Sequence, residues 1–191
     1  MKVLGINGSP NRQGNTSLLI KEVFKVLEKN GIETEMYHIG GKMVHGCSAC
    51  MLCKEKKDNR CHIKNDAINE CIEKMNAADG ILIGSPVYFS NITTELKALI
   101  DCAGYVTRAN GQTMARKVGA AVVAVRRAGE MSTFDAINHF FLINQMIVPG
   151  SSYWNIAIGR MPGDVLNDEE GMQTMQCLGE NMSWLIKKLN A

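Results

Sequence analysis

The 191-residue chain predicts an α/β domain in which a parallel sheet is covered by helices on both faces. Two observations carry this. Short apolar runs alternate with stretches of helical spacing along the whole chain. The best of those runs, ILIGSPV after Asp79-Gly80 and KVGAAVVAV over 117–125, are unbroken instead of half polar, as strands buried on both faces must be.

Taken in order, Lys2–Asn7 reads as a buried strand that runs into a loop at Gly8-Ser9-Pro10. Leu18, Leu19, Val23, Phe24 and Leu27 follow at helical spacing, with Asn30-Gly31 as the stop. Ile32–Ile39 alternates weakly, as a second strand. A cysteine-rich insert fills about 40–65, and Asp66 reads as the N-cap of a helix that turns Ile68, Cys71, Ile72 and Met75 inward. The third strand ends at Pro86. Thr93–Ala103 is helical by its Leu96, Leu99 and Ile100 spacing, and Lys117–Val125 is the fourth strand. Phe134–Ile147 reads as a helix, Val148-Pro-Gly as the start of a short fifth strand, and Asp168–Leu189 as a closing helix. The expectation is five strands and five helices in one domain spanning 1–191, with no repeat and no linker. The irregular stretches at 40–65 and 150–167 are long for a compact domain, which marks them as candidate functional loops.

Composition narrows the function. The chain is 46% hydrophobic, enough for a core, and its net charge is +2. That balance excludes a nucleic-acid footprint; Lys54-Glu-Lys-Lys57, the nearest thing to one, reads as a solvated loop. MKVLGINGSP is too short an apolar run for a signal peptide, and no stretch approaches a membrane span of about 18 apolar residues. A cytoplasmic protein is expected, with no membrane partner. Seven cysteines, an odd number, in a reducing compartment point to metal or redox chemistry instead of a disulfide scaffold.

Ligands of parallel sheets bind beyond the carboxyl ends of the strands, so the loops after strands one, three and four carry the search. Gly8–Ser17 is rich in small hydroxyl and amide side chains and opens a helix, a place ready for phosphate, with Ser9, Asn15, Thr16 and Ser17 as donors. It matches neither a dinucleotide fingerprint nor a Walker motif, and a merely capped helix is the plain alternative. In Ser85–Asn91, Tyr88 and Phe89 offer flat apolar surface beside Ser90 and Asn91, either for a planar ring or as core aromatics. Val125–Glu130 places Arg126 and Arg127 at the same edge, for an anionic ligand or for solvation.

GSPNRQGNTS, then ADGILIGSPVYFSNITTELKALID, then KVGAAVVAVRRAGE resembles the NADPH-dependent FMN reductase branch of the flavodoxin-like superfamily, and is most similar to its iron–sulfur flavoproteins. The similarity runs over essentially the whole chain. It implies a flavodoxin-like three-layer sandwich with strand order 2-1-3-4-5 and non-covalent FMN. By match, Ser9, Asn11, Asn15, Thr16 and Ser17 hold the phosphate; Pro86, Val87, Tyr88, Phe89 and Asn91 line the ring; Arg127 and Gly129 sit beyond it. One departure is that Asn11 follows Ser-Pro where relatives often carry Arg, which here is Arg12.

Cys47-x2-Cys50-x2-Cys53 sets three thiolates on one compact loop, suited to three irons of a cubane, with Cys61 as the fourth. A structural zinc more often takes two C-x2-C pairs set well apart, so the spacing favours iron–sulfur. The resemblance implies a [4Fe–4S] cluster on these four; zinc and free thiols stay as alternatives. Cys71, Cys102 and Cys177 read as core residues, and His45 and His62 as solvated loop histidines with no carboxylate partner that spacing reveals. No protein acid–base constellation is found, as expected where a flavin does the chemistry.

The reading is an FMN-dependent oxidoreductase drawing on NAD(P)H or a ferredoxin-like donor and reducing a small acceptor such as a quinone or flavin. The alternatives are a non-enzymatic flavodoxin-like electron carrier and a cysteine-based sensor. Carriers of that kind tend to be strongly acidic, and +2 speaks against one. Aromatic surface at Phe140-Phe141-Leu142, at Tyr153-Trp154 and at Trp184, with the resemblance, predicts a homodimer or homotetramer.

Overall fold

The computed structural model describes residues 1–63 and 67–191. Five parallel strands, β1 (Lys2–Asn7), β2 (Glu33–His38), β3 (Gly80–Pro86), β4 (Val118–Val125) and β5 (Ile156–Ile158), lie in the order β2-β1-β3-β4-β5. This is the flavodoxin-like arrangement, and the order reverses between β1 and β3, where such folds place their ligands.

The period of two along each strand divides the core. Leu4, Ile6, Ile81 and Ile83 face a layer built by α3 (Ile68–Ala77), α4 (Thr94–Ala109) and α5 (Glu130–Ile143). Val3, Leu82, Val118, Ala120 and Val122 face the other layer, α1 (Asn15–Lys29) and α6 (Glu169–Leu189). A short helix, α2 (Leu52–Lys56), stands inside the cysteine insert, and a 3₁₀ turn (Asp164–Asn167) precedes α6. Among the described residues no helix is long and apolar enough to cross a membrane.

Most expected elements stand where periodicity put them, with instructive differences. Six α-helices form among the described residues instead of five, the extra one being α2. The helix expected at Phe134–Ile147 starts and ends four residues earlier. Asn144 stops it, its Nδ2 donating to the Phe140 carbonyl at 2.7 Å while its Oδ1 accepts from Thr107 Oγ1 at 2.8 Å. Ile147 then makes a single bridge to Val118. Pro149 has no N–H to continue a ladder, so the fifth strand forms later, at 156–158. Asp168 anchors that region, with Oδ1 capping α6 at Gly171 N (3.0 Å) and Oδ2 accepting Ile158 N (2.7 Å). Ile68, Cys71, Ile72 and Met75 are buried as expected, whereas the Asp66 cap lies outside the described residues. Phe140 and Phe141 are core, leaving only Leu142 and Ile143 of that face exposed, and Cys177 is half-buried.

Candidate active site

Beyond β1 the chain folds into a cradle through a relay of side-chain to backbone bonds. Asn7 Oδ1 accepts Ser9 N (2.9 Å), Ser9 Oγ accepts Asn11 N (3.2 Å), and Asn11 Oδ1 accepts Gln13 N (3.1 Å). Thr93 Oγ1 pins the cradle from below by donating to the Gly8 carbonyl at 2.8 Å. Gly40, after β2, presses against it from the side: a Cβ there would stand 2.2 Å from the Ser9 carbonyl, so only glycine allows the approach.

No side chain caps α1, so its first amides, from Asn15 onward, point into the cradle without a partner among the described residues. Asn7 Nδ2, fully buried, is also unpartnered there. Open amides at a helix N-terminus, the Ser9 and Thr16 hydroxyls and a buried orphan amide make a donor set that fits a phosphate.

An open cleft of about 200 Å³ runs from this cradle along the carboxyl ends of β3, β4 and β5. Ser9, Asn11, Asn15 and Thr16 line one end; Pro86 and Val87 form an apolar wall; Arg126 and Arg160 bring positive charge. Sequence reasoning named all of these except Arg160. Gly14, Ala124, Gly159 and Pro162 also line the cleft unforeseen. The length of the 150–167 segment was the one signal for the β5–α6 contribution.

Asn15 does something other than what its type suggested. Its Nδ2 donates to the Met161 carbonyl at 3.0 Å and its Oδ1 accepts Gly163 N at 2.8 Å. The amide side chain is thus committed to holding the β5–α6 loop against the cradle.

Ser17 is buried at the helix start and does not line the cleft. Tyr88 and Asn91 pair through both backbone groups (2.8 and 3.0 Å) and close a two-residue hairpin, with Phe89 and Ser90 at φ 48° and 57°. Side-chain-bearing residues rarely adopt such backbone, and adjacent ones mark a strained tip held by its surroundings. Phe89 is fully exposed and Tyr88 half-exposed, so neither is a core aromatic. Asn91 Oδ1 is taken by Ile92 N at 2.8 Å. Gly129, at φ 93°, seats the loop after β4 on this hairpin, where a Cβ would stand 2.8–2.9 Å from Ser90 and Val87. Arg127 is exposed beside it, outside the cleft lining.

The insert builds a second, small cavity of about 20 Å³, and Cys47, Cys50, Cys53 and Cys61 all line it. Ala49 and Met51 take positive φ (53° and 60°) to bend the loop around it, and Ala49 N donates to Cys47 Sγ at 3.4 Å. Helices α3 and α4 brace the thiols. Asn69 takes Cys61 N and gives Nδ2 to the Cys61 carbonyl, both at 2.7 Å, while Asn110 Nδ2 reaches the Cys53 carbonyl at 3.5 Å. Burial, then the neighbouring Cys61, Cys47 and Cys50, push the Cys53 thiol up, against the Lys54 amide. Four thiols drawn to one small cavity are a soft donor set. Among the described residues no three His, Cys, Asp or Glu close on a point as a single ion requires; the thiols surround a cavity instead.

His62 also lines this cavity, and its Nε2 lies 3.3 Å from Asp58 Oδ1, a carboxylate pairing that spacing had not revealed. His45 is exposed.

The sequence profile of the family described as NADPH-dependent FMN reductase matches residues 1–160. An iron–sulfur flavoprotein of Methanocaldococcus jannaschii is 39% identical over 194 residues, covering 98% of each chain. An iron–sulfur flavoprotein of Methanosarcina thermophila is 36% identical over 177 residues, covering 92% of this chain and 90% of its own. Among solved structures, FerB of Paracoccus denitrificans, a flavoenzyme NAD(P)H:(acceptor) oxidoreductase, superposes with a TM-score of 0.71 at 18% identity, covering 98% of this chain and 97% of that one. A WrbA-like flavodoxin of Agrobacterium tumefaciens superposes at 0.66 and 13%, covering 98% and 97%. At those identities the structural likeness speaks for the fold alone.

Proposed function

Because the chain belongs to the NADPH-dependent FMN reductase family, with iron–sulfur flavoproteins as relatives, we propose that it is an FMN oxidoreductase taking electrons from NAD(P)H or a ferredoxin-like protein. Its acceptor is a small oxidised compound of the quinone or flavin type. The observation that carries this reading is the cleft itself, which joins an uncapped helix N-terminus to an apolar wall at the point where the strand order reverses.

Bound FMN supplies hydride and one-electron chemistry. The chain's part is to bind and orient. The first amides of α1 with Ser9 and Thr16 hold the phosphate, Asn15 keeps the Met161–Gly163 loop closed beside it, and Arg126 and Arg160 add positive charge. Pro86 and Val87, which wall the cleft, would flank the ring, with the strained 88–91 hairpin following directly in the chain. We assign the ring's further contacts to Tyr88, Phe89, Asn91, Arg127 and Gly129, and a phosphate contact to the Ser17 amide.

Cys47, Cys50, Cys53 and Cys61 would hold a [4Fe–4S] cluster, for which four thiols of one loop around one cavity are a fitting donor set. Such a cluster supplies one-electron transfer. Exposed Phe89, Tyr153, Trp154 and Trp184 support a homodimer or homotetramer.

Anaerobic purification followed by a visible spectrum, iron and sulfide analysis, and NAD(P)H oxidation with a quinone acceptor tests the whole reading. Yellow-brown protein with FMN and about four irons per chain is expected. Protein that stays colourless after incubation with FMN refutes the flavin assignment. Flavin without NAD(P)H or ferredoxin-driven turnover would leave the carrier reading in its place.

A further inference from the structure

The cysteine insert is laid along α4 and clamped to it at three points. Glu95 Oε1 accepts Gly41 N at 3.1 Å, the Cys102 thiol donates to the His45 carbonyl at 3.7 Å, and Asn110 Nδ2 reaches the Cys53 carbonyl at 3.5 Å. Positions 95, 102 and 110 follow one another at about two helical turns, so the three clamps share one face of the helix.

The middle clamp differs from the other two. Over residues 43–50 the chain makes no backbone–backbone hydrogen bond among the described residues, and the bond from Ala49 N to Cys47 Sγ stays inside the stretch. Among the described residues the bond from Cys102 is the one hydrogen bond that ties this stretch to the rest of the fold, and it falls two residues before Cys47. Cys102 is only 1% exposed, yet it lines the cysteine cavity together with Val106, one turn further along α4. The cavity wall therefore holds five thiols, four from the insert and the fifth from a helix packed in the core. Three of the insert thiols have a brace nearby: Cys102 before Cys47, Asn110 at Cys53, and Asn69 at Cys61. Cys50 is the exposed one.

We propose that Cys102 is a positioning residue, a clamp that fixes where the Cys47 thiol stands and is not itself a ligand. This rests on the reading of Cys47, Cys50, Cys53 and Cys61 as the ligands of one cluster. A thiol is a weak donor, so the bond by itself is small. Its effect is large because no other bond orders the stretch it holds. Without it the chain from Met43 to Cys50 is fixed only from its ends, and Cys47 wanders from the place where the other three thiols need it. Ligands held in place before the guest arrives bind it more tightly, because the cost of ordering them is already met.

The test uses the full-length protein in two forms, as purified anaerobically and after a chelator has removed its iron. Wild type is compared with C102A, C102S and N69A. In the iron-free form, alkylation of each cysteine by iodoacetamide is followed by mass spectrometry. In C102A the Cys47 rate should rise about 5-fold or more and the Cys61 rate by less than about 2-fold, as expected of a local opening. In N69A the pattern should reverse, with Cys61 the faster. C102S, whose hydroxyl can donate to the same carbonyl, should return the Cys47 rate to within about 2-fold of wild type. As purified, C102A should still carry about four irons per chain and release them to a chelator about 5-fold faster.

An unchanged Cys47 rate in C102A overturns the proposal. So does an equal rise at Cys47, Cys53 and Cys61, which marks a loosened core, and so does a C102S rate equal to that of C102A, which leaves packing and no bond. About three irons per chain in C102A, with the electron-spin signal of a three-iron cluster, would make Cys102 a ligand and overturns it too. Native protein that carries flavin and no iron, with the alkylation pattern as expected, leaves the clamp standing and removes the cluster reading beneath it.

Discussion

Replacing Asn15 with Ala removes the two bonds that tie the β5–α6 loop to the cradle after β1, at 3.0 Å to the Met161 carbonyl and 2.8 Å from Gly163 N. A hydrogen bond of this kind contributes about 0.5–1.5 kcal/mol net, and one of the pair is solvent-exposed, so about 1–2 kcal/mol is a fair sum. If that energy holds the loop closed over bound FMN, losing it raises the FMN dissociation constant roughly 5- to 30-fold. Fluorescence quenching as FMN is titrated into the flavin-free protein measures that change. A residue that contacts phosphate directly would give the same loss, so a second readout is needed. Hydrogen exchange at the amides of 159–166 in flavin-free protein should quicken in the variant, because the hook exists before any ligand binds. Weakened FMN binding with unchanged exchange would refute the hook and return Asn15 to the role of a ligand. Unchanged binding and unchanged exchange would remove Asn15 from the site altogether.

Two further outcomes follow from the same geometry. Gly129→Ala puts a Cβ 2.9 Å from the Ser90 backbone at φ 93°, a strain of about 2 kcal/mol, so the melting temperature should fall by roughly 4–8 °C, with weaker FMN binding as the hairpin shifts. The Glu35 carboxyl is held below its ordinary value by hydrogen bonds from Lys2 and then Lys74, against partial burial. Its contribution is therefore present above the unfolded value near 4.5 and is lost as pH falls through the lower folded one. Urea titrations of Glu35→Gln against wild type should diverge at pH 6 and converge toward pH 3; a constant gap over that range would refute the linkage.

The sheet was legible because its strands are buried on both faces and the apolar runs that this demands are conspicuous at Ile81–Ile83 and Ala120–Val125. The cradle was legible for a chemical reason: small hydroxyl and amide residues after a buried strand and before a helix fold the chain through side-chain to backbone bonds, as Asn7, Ser9 and Asn11 do. What escaped notice depended on contacts remote in sequence. Asn15 meets Met161 and Gly163 across nearly 150 positions, and no local pattern announces that pairing. Arg160 entered the cleft by the same route. The end of α5 was misplaced because Met146 and Ile147 continue the helical apolar pattern, while the Asn144 side chain bonds back to Phe140 and to Thr107 and turns the chain out. His62 and Asp58 stand four apart in a loop, where helical spacing implies nothing, and only the bend around the cysteines brings them together.

The two cavities belong to one edge of one sheet, and that follows from topology before any cofactor is considered. Every loop after a strand of a parallel sheet emerges at the same edge, so the cradle after β1 and the cysteine insert after β2 are neighbours by necessity. Gly40 makes the junction tight, since its lack of a side chain lets the start of the insert rest on the Ser9 carbonyl. The insert then leaves toward α3 and α4, whose Asn69 and Asn110 brace the cysteines. An insert after β4 would have shared the edge too, but β2 is an edge strand, and a long loop leaving it meets no further strand. Room for a long loop exists on that flank, and the cysteines stand there.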